Sequence, residues 1–110
     1  MAKKKIAHRG EFWSINDKRT RGHKTFIIRG NKYKHYVLHL PITYSKQTRN
    51  MKNQILRKNP EFGKNEDAYI LTRVQKSPEN KLGKKHSNMK IKNTTDKKVV
   101  RHIIKNNKKK

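Results

Sequence analysis

Much of the strongest strand-forming sequence in this chain lies in two segments, Thr25-Phe26-Ile27-Ile28 and Tyr36-Val37-Leu38-His39-Leu40-Pro41-Ile42-Thr43. Both are rich in β-branched and aromatic residues, which favour strands. The connection from Gly30 to His35 fits an antiparallel hairpin, because a parallel crossover needs about a dozen residues or more. Gly30 and Asn31 tolerate positive φ, which predicts a tight turn. Pro41 lacks a backbone donor, so we expect a sheet edge or a bend there.

Three hydroxyl side chains follow the second segment: Thr43, Tyr44 and Ser45. A buried strand that ends in polar residues gives those residues a rigid base. If the protein has a reactive site, we expect it at this strand end.

The composition indicates a small core inside a strongly cationic chain. Only 30% of the 110 residues are hydrophobic, and 31 Lys and Arg face 7 Asp and Glu, for a net charge of +24. The positive charge is spread along the whole chain and is densest near the C-terminus. The usual partner of so basic a small protein is nucleic acid, although high charge also aids solubility.

Several function classes are disfavoured by what the sequence lacks. The chain has no cysteine, which excludes disulfides and thiolate catalysis. Its six histidines show no metal-ligand spacing, so we expect neither zinc nor another cofactor. No apolar run is long enough to span a membrane, and no signal-like segment follows Met1. We therefore expect a cytoplasmic protein without a membrane partner.

The remaining pattern predicts one domain over residues 8–105, with a basic arm at 1–7 and a basic tail at 106–110. Four further elements are predicted: a first strand over 9–15, a weak strand or helical turn over 51–56, a buried strand over 68–72 and a helical turn with Ser77 as its N-cap. Polar loops are expected at 16–23 and 58–67. Leu82, Met89 and Ile91 are the only expected anchors of 81–92.

A C-terminal helix is predicted over about Asp96–Lys105, behind an N-cap in Thr94-Thr95-Asp96. Its apolar residues fall on one face, which should pack on the sheet: Val99, Val100, Ile103 and Ile104. Four or five strands followed by one helix indicate a small, strongly bent antiparallel sheet or barrel.

Five stretches in this order resemble the MazF/PemK family of endoribonuclease toxins. They are Arg9-Gly10-Glu11-Phe12-Trp13, Lys24-Thr25-Phe26-Ile27-Ile28, Leu40-Pro41-Ile42-Thr43-Tyr44-Ser45, Ala68–Thr72 with Val74, and Asp96–Ile104. The resemblance covers nearly the full length of the chain. It implies an SH3-like barrel with a C-terminal helix and a homodimer. It also implies an acidic antitoxin partner and metal-independent cleavage of single-stranded RNA to a cyclic phosphate.

The resemblance also implies site residues. Thr43 matches the family's catalytic hydroxyl, and Lys24 stands at its catalytic arginine. A lysine keeps the charge but lacks the planar fork that grips a phosphate at two points. The family's proline is Thr25 here, and the acidic residue and arginine of some members have no clear counterparts around Ile70–Arg73. His23 is therefore a candidate for acid–base chemistry.

The candidate RNA-binding residues flank these positions. They are Lys18, Arg19, Arg21, Tyr44, Ser45, Lys46 and Arg49. Two other functions stay open from the sequence: a basic nucleic-acid-binding protein that keeps the barrel without cutting, and a ribosome-associated basic protein. A relative that poisons a protein target, such as gyrase, would not require so large a positive charge.

Overall fold

The predicted hairpin lies at the centre of the fold, where β2 (Lys24–Arg29) pairs antiparallel with β3 (Tyr36–Thr43). The computed structural model describes residues 4–16, 23–48 and 51–108. The other strands in this part of the chain are β1 (Phe12–Ile15), β4 (Gln47–Thr48), β5 (Met51–Lys52), β6 (Gln54–Ile55), β7 (Tyr69–Ile70), β8 (Gln75–Pro78) and β9 (Leu82–Lys85). A 3₁₀ turn at Glu79–Lys81 precedes β9, and α1 (Thr94–Lys108) ends the fold.

Seven of these strands form one antiparallel sheet. Its order is β6-β7-β3-β2-β1-β9, and β8 pairs with β3 beside β7. β4 and β5 form a separate two-stranded hairpin. Within the described ranges β6 and β9 stay unpaired with each other, so the sheet is open. The same ranges contain no helix with the length and apolar character needed to span a membrane.

The strand number predicted from the sequence is too low, because several strands are short and polar. The described residues contain nine strands, where four or five were expected. β9, for example, has Leu82 as its only large apolar residue and is held by pairing with β1. The buried strand expected over 68–72 is reduced to Tyr69–Ile70. Short strands of this kind form because they pair with neighbouring strands in the fold. Their sequences therefore show little of the apolar alternation that predicts a strand.

Pro41 lies inside β3, which corrects the expected strand end. β3 pairs with β8 up to His39 and with β7 from Ile42. The carbonyl of Pro41 accepts from Leu71 N at 3.0 Å, so its missing N–H also falls on the edge where β8 gives way to β7. A proline is tolerated there because the ladder is already interrupted. β3 can therefore continue to Thr43.

The turn after β2 is held by a buried amide. Gly30 does not have a positive φ; a Cβ on it would lie 2.0 Å from the carbonyl oxygen of Ala7, so close approach of two backbones requires glycine. The Asn31 side chain is fully buried and accepts from Ala7 N at 2.8 Å. It donates to Lys5 O and to Glu79 Oε1, both at 2.9 Å. Lys5 and Ala7, which the sequence places in the basic arm, are thus bound to the domain.

The sheet is covered on both faces by apolar side chains. Alternation along β1 to β3 sends Phe12 and Leu40 to one face, and Trp13 and Ile27 to the other. The first face carries the larger core, whose buried members are Phe12, Leu40, Ile42, Leu56, Ala68, Ile70, Met89, Val100 and Ile103. The second face carries Ala7, Trp13, Ile15, Ile27, Val37 and Leu82.

Helix α1 packs as predicted but is longer at both ends. Val100 and Ile103 are buried and Val99 and Ile104 are partly buried against the larger core, which confirms the predicted face. Asn93 is the N-cap instead of a residue in 94–96. Its side-chain oxygen accepts from Thr95 N at 2.9 Å and Asp96 N at 3.2 Å. At the other end the helix takes up residues 106–108 of the predicted tail.

The Ser77 side chain also differs from its predicted role. Ser77 is buried in β8, and its hydroxyl lies 2.9 Å from His39 Nε2. The 3₁₀ turn that follows begins after Pro78 without a side-chain cap. The predicted helical turn is present, but Ser77 is a buried core residue and does not cap it.

Asp96 joins the first turn of α1 to the segment after β6. Its buried carboxylate accepts from Arg57 N at 2.8 Å and from Lys58 N at 3.1 Å. Both amides therefore find their acceptor on the helix. Through these two bonds α1 fixes the path of the chain as it enters 59–61.

We expect Asp96→Ala to lower the free energy of unfolding by about 1–3 kcal/mol, because two backbone donors lose a charged acceptor. Asp96→Asn keeps one carbonyl oxygen and should cost less. Urea denaturation of the purified variants measures the difference. The exposed Asp67 supplies the control, and Asp67→Ala should change stability by less than about 0.5 kcal/mol. An Asp96→Ala value equal to that control would contradict the assignment.

Candidate functional site

Lys24 at the start of β2 forms an ion pair with the side chain of Glu61. The Lys24 side chain is 38% exposed and that of Glu61 only 9%, so the pair sits at the edge of the interior. Lys64 Nζ lies 3.9 Å from the other carboxylate oxygen of Glu61. The hydrogen bond from Lys24 lowers the pKa of Glu61, against the opposing effect of burial. Glu61 is therefore a carboxylate at neutral pH.

The backbone around Glu61 is held in place from two sides. Asn59 Oδ1 accepts from Glu61 N at 2.9 Å. Glu61 also forms a β-bridge with Met89, and Phe62 N donates to Asn88 O at 2.8 Å. This segment is thus tied to the residues that follow β9.

His86 lies beside the ion pair and contacts Ser14. The Nε2 atom of His86 is 2.6 Å from Ser14 Oγ. Ser14 in turn is the register partner of Lys24 in the β1–β2 ladder, so both side chains lie on one face of the sheet. Burial lowers the pKa of His86, the charges of Lys24 and Lys84 lower it further, and Glu61 opposes them. The imidazole is therefore mainly neutral at pH 7.

Ser14, Lys24, Glu61 and His86 together form what we call the polar cluster. It contains a hydroxyl, a cation, a carboxylate and a neutral imidazole, contributed by β1, β2, the 56–68 segment and the residue after β9. Such a set can accept a proton, donate a proton and stabilise an anion without a metal. Among residues 4–16, 23–48 and 51–108, no group of three His, Asp or Glu side chains is arranged to bind a metal ion.

Thr43 lies at the same end of the hairpin as Lys24 but on the other face. Thr25 pairs with Pro41, so continuing the register places Lys24 beside Ile42. Thr43 therefore shares the face of Pro41, opposite to Lys24. Its hydroxyl oxygen accepts from Ser45 N at 3.2 Å. The structure joins Lys24 to Glu61 and His86 more closely than to the threonine.

The other predicted site residues are only partly described. His23 is exposed just before β2. Ser45 and Lys46 are exposed after β3, and Tyr44 is 54% exposed with its hydroxyl oxygen 3.4 Å from Asn59 Nδ2. The remaining four lie outside the described residues: Lys18, Arg19, Arg21 and Arg49.

No protein-family model matches the chain, and a search of curated proteins finds no match. The arrangement of the site therefore rests on this chain's own residues. Sequence reasoning missed Ser14, Glu61 and His86 as members of the site. One signal was available for Glu61: a chain with only 7 acidic residues places it directly after Asn59-Pro60, in a turn-rich segment.

Most acidic side chains of the described residues are occupied inside the fold. Glu11 binds Lys85 at 2.8 Å, and Asp96 binds two amides. Glu79 binds Lys4 and His35, each at 3.1 Å, and hydrogen bonds led by that of Asn31 lower its pKa to about 2. Each of these carboxylates neutralises at most two cations, so most of the 31 lysines and arginines have no acidic residue to balance them.

Two exposed aromatic rings carry a lysine above them. Phe62 is 78% exposed with Lys92 Nζ 5.0 Å from its ring centre, and Tyr33 is 84% exposed with Lys32 Nζ at 5.4 Å. An exposed ring paired with a cation suits a base stacked on the ring and its phosphate. Phe62 directly follows Glu61 in the chain, and Tyr33 lies in the turn between β2 and β3.

Proposed function

We propose that this protein binds single-stranded RNA and cleaves it without a metal, as a divergent toxin of the MazF/PemK type. The observation that carries the proposal is the polar cluster around Lys24. The resemblance assigns the catalytic cation to this position, and a carboxylate and a neutral imidazole surround it. The cluster therefore contains a carboxylate and an imidazole that could act as acid or base. The sequence motifs had suggested only His23 for that role.

The proposed reaction is a transesterification. The ribose 2′-oxygen attacks the adjacent phosphorus, and the products are a 2′,3′-cyclic phosphate and a 5′-hydroxyl. Lys24 would stabilise the negative charge on the phosphorane oxygens, where a preorganised donor contributes most. Glu61 holds Lys24 in position until the phosphate arrives. The resemblance makes the Thr43 hydroxyl catalytic as well, and Thr43 lies at the same end of the hairpin on the opposite face of the sheet.

Substrate binding would be dominated by charge and stacking. A net charge of +24, from 31 lysines and arginines against 7 acidic residues, favours a polyanion as partner. Exposed Phe62 and Tyr33 with their lysines suit unpaired bases. We further propose that the open sheet is a variant of the SH3-like barrel, and that the protein is a cytoplasmic homodimer restrained by an acidic antitoxin.

A second candidate is an RNA-binding protein that has lost cleavage. Two observations favour it: the Lys24 charge is neutralised by Glu61, and Thr43 lies on the other face of the sheet. In that case the polar cluster is a structural ion pair beside a serine–histidine hydrogen bond. The function would then be RNA binding by the basic surface alone.

Incubation with an end-labelled single-stranded RNA in EDTA tests the proposal. We expect discrete fragments with 2′,3′-cyclic phosphate ends, and far fewer from Lys24→Ala protein purified in the same way. Thr43→Val, which keeps the branched shape without the hydroxyl, should also lose cleavage while binding most of the RNA. Binding without cutting would support the second candidate. Equal cutting by both variants and the parent would remove these residues from the site.

A further inference from the structure

The hydrogen bond between Ser14 and His86 holds the imidazole ring in place and is compatible with either tautomer of the ring. Ser14 Oγ lies 2.6 Å from Nε2, and the backbone of His86 is fixed by donation from His86 N to Phe12 O at 2.8 Å. When Nε2 carries the proton and donates to Ser14 Oγ, Nδ1 has a free lone pair. The described part of the chain gives Nδ1 no hydrogen-bond partner, so it is available to a substrate.

Glu61, the other basic group in the cluster, is a weaker candidate for taking a proton. Its carboxylate already accepts from Lys24 and lies near Lys64. These cations lower its pKa, which makes it a poor proton acceptor. The imidazole of His86 lies beside the same cation, and histidine is the side chain whose ordinary pKa lies closest to neutral pH.

We infer that His86 is the general base of the proposed RNA cleavage and that Ser14 is the residue that positions its ring. The inference rests on the proposed ribonuclease function and adds to it the group that activates the ribose hydroxyl. In this arrangement Lys24 contacts the phosphate, while His86 Nδ1 takes the proton of the neighbouring 2′-hydroxyl.

The step balances without an oxidant or a metal. The 2′-hydroxyl proton passes to Nδ1, and the 2′-oxygen forms a bond to phosphorus. The bond from phosphorus to the 5′-oxygen breaks, and the leaving oxygen keeps the electron pair and takes a proton from water. The imidazolium then returns its proton to solvent. His86 is thereby restored for the next turnover.

The surroundings of His86 keep it in the basic form at neutral pH. The charged groups that face it are Lys24 on β2, Lys84 on β9 and Glu61, and Ser14 on β1 is the neutral partner. Burial and the two lysines hold its pKa below the ordinary histidine value, and Glu61 acts against them. Activity should therefore be present at neutral pH and lost as the pH falls through this lowered pKa.

Single-turnover cleavage of a labelled RNA at saturating protein, from pH 5 to 8, tests the inference. For the parent, the logarithm of the rate should rise with unit slope at acid pH and then level off. His86→Gln should lower the plateau about 10²–10⁴-fold, the usual contribution of a general base. Free imidazole should restore part of the rate to His86→Ala. His102→Gln, a histidine exposed on α1, is the matched control and should cut like the parent.

Ser14 is tested by the same profile. Ser14→Ala should slow cleavage by less than His86→Gln does, without weakening binding of an RNA that carries a 2′-deoxy group at the cleavage site. Ser14→Thr keeps the hydroxyl and should restore the rate. If the parent and His86→Gln cut RNA at the same rate, the inference about His86 is wrong and the proposed ribonuclease function still holds. A parent that binds RNA and never cuts it overturns both.

Discussion

Lys24→Ala is expected to slow single-turnover RNA cleavage about 10²–10³-fold, which is the usual effect of removing one donor to a developing oxyanion. The reason is that Lys24 is the cation of the polar cluster and lies beside both the carboxylate and the imidazole. Saturating protein removes any contribution from weaker RNA binding, so the measured rate reports the chemical step. Lys24→Arg should preserve or raise the rate, since a guanidinium contacts a phosphate at two points.

The control for this prediction must separate chemistry from folding. Lys24→Ala leaves the largely buried Glu61 carboxylate without its main partner, and an unpaired buried charge destabilises a fold. The double variant Lys24→Ala with Glu61→Gln removes that charge and should cut as slowly as the single variant. Lys97→Ala, on an exposed position of α1, removes an equal charge and should cut like the parent. A Lys24→Ala rate equal to that of Lys97→Ala would make Lys24 one cation among many.

RNA affinity is expected to fall about 10²-fold between 50 and 200 mM salt. Each phosphate neutralised on a single strand contributes a slope of about −0.7 in log affinity against log salt, so six contacts give about −4. The reason for this expectation is the net charge of +24, which leaves many lysines and arginines free of an acidic partner to contact phosphates. Fluorescence anisotropy with an uncleavable 2′-deoxy analogue measures it.

The comparison for the salt series is an oligomer of the same bases on an uncharged backbone. It should bind weakly at every salt concentration, since no counterions are released. If stacking on Phe62 and Tyr33 supplied most of the affinity, both oligomers would bind alike. A slope near zero for the charged oligomer would exclude phosphate-dominated binding.

The parts of the fold that could be predicted from sequence are those specified by local pattern. The β2–β3 hairpin follows from two apolar segments with a short connection, and the face of α1 follows from the spacing of Val99, Val100, Ile103 and Ile104. The end of β3 could not be predicted from Pro41. The destabilisation caused by a proline inside a strand depends on whether the neighbouring strand needs its N–H. At Pro41 the neighbour of β3 changes from β8 to β7, so the missing N–H breaks no ladder.

The candidate site was predictable at one residue out of four. Lys24 was named through the resemblance, whereas Ser14, Glu61 and His86 join it only through ladders between distant segments. His86 reaches Ser14 because β9 pairs with β1, and β9 itself has almost no sequence signal. Asn31 illustrates the same limit: a residue typical of exposed turns is buried as the anchor of three groups.

The bonds from Asp96 to the amides of Arg57 and Lys58 reach back 39 and 38 residues along the chain. During synthesis on the ribosome, the segment that carries Glu61 is made long before the carboxylate that fixes its path. His86 and β9 also emerge before Asp96. The carboxylate that fixes the path of the Glu61 segment therefore leaves the ribosome after every member of the polar cluster. If the protein cuts RNA as proposed, its site would gain this last support only after most of the chain has been synthesised.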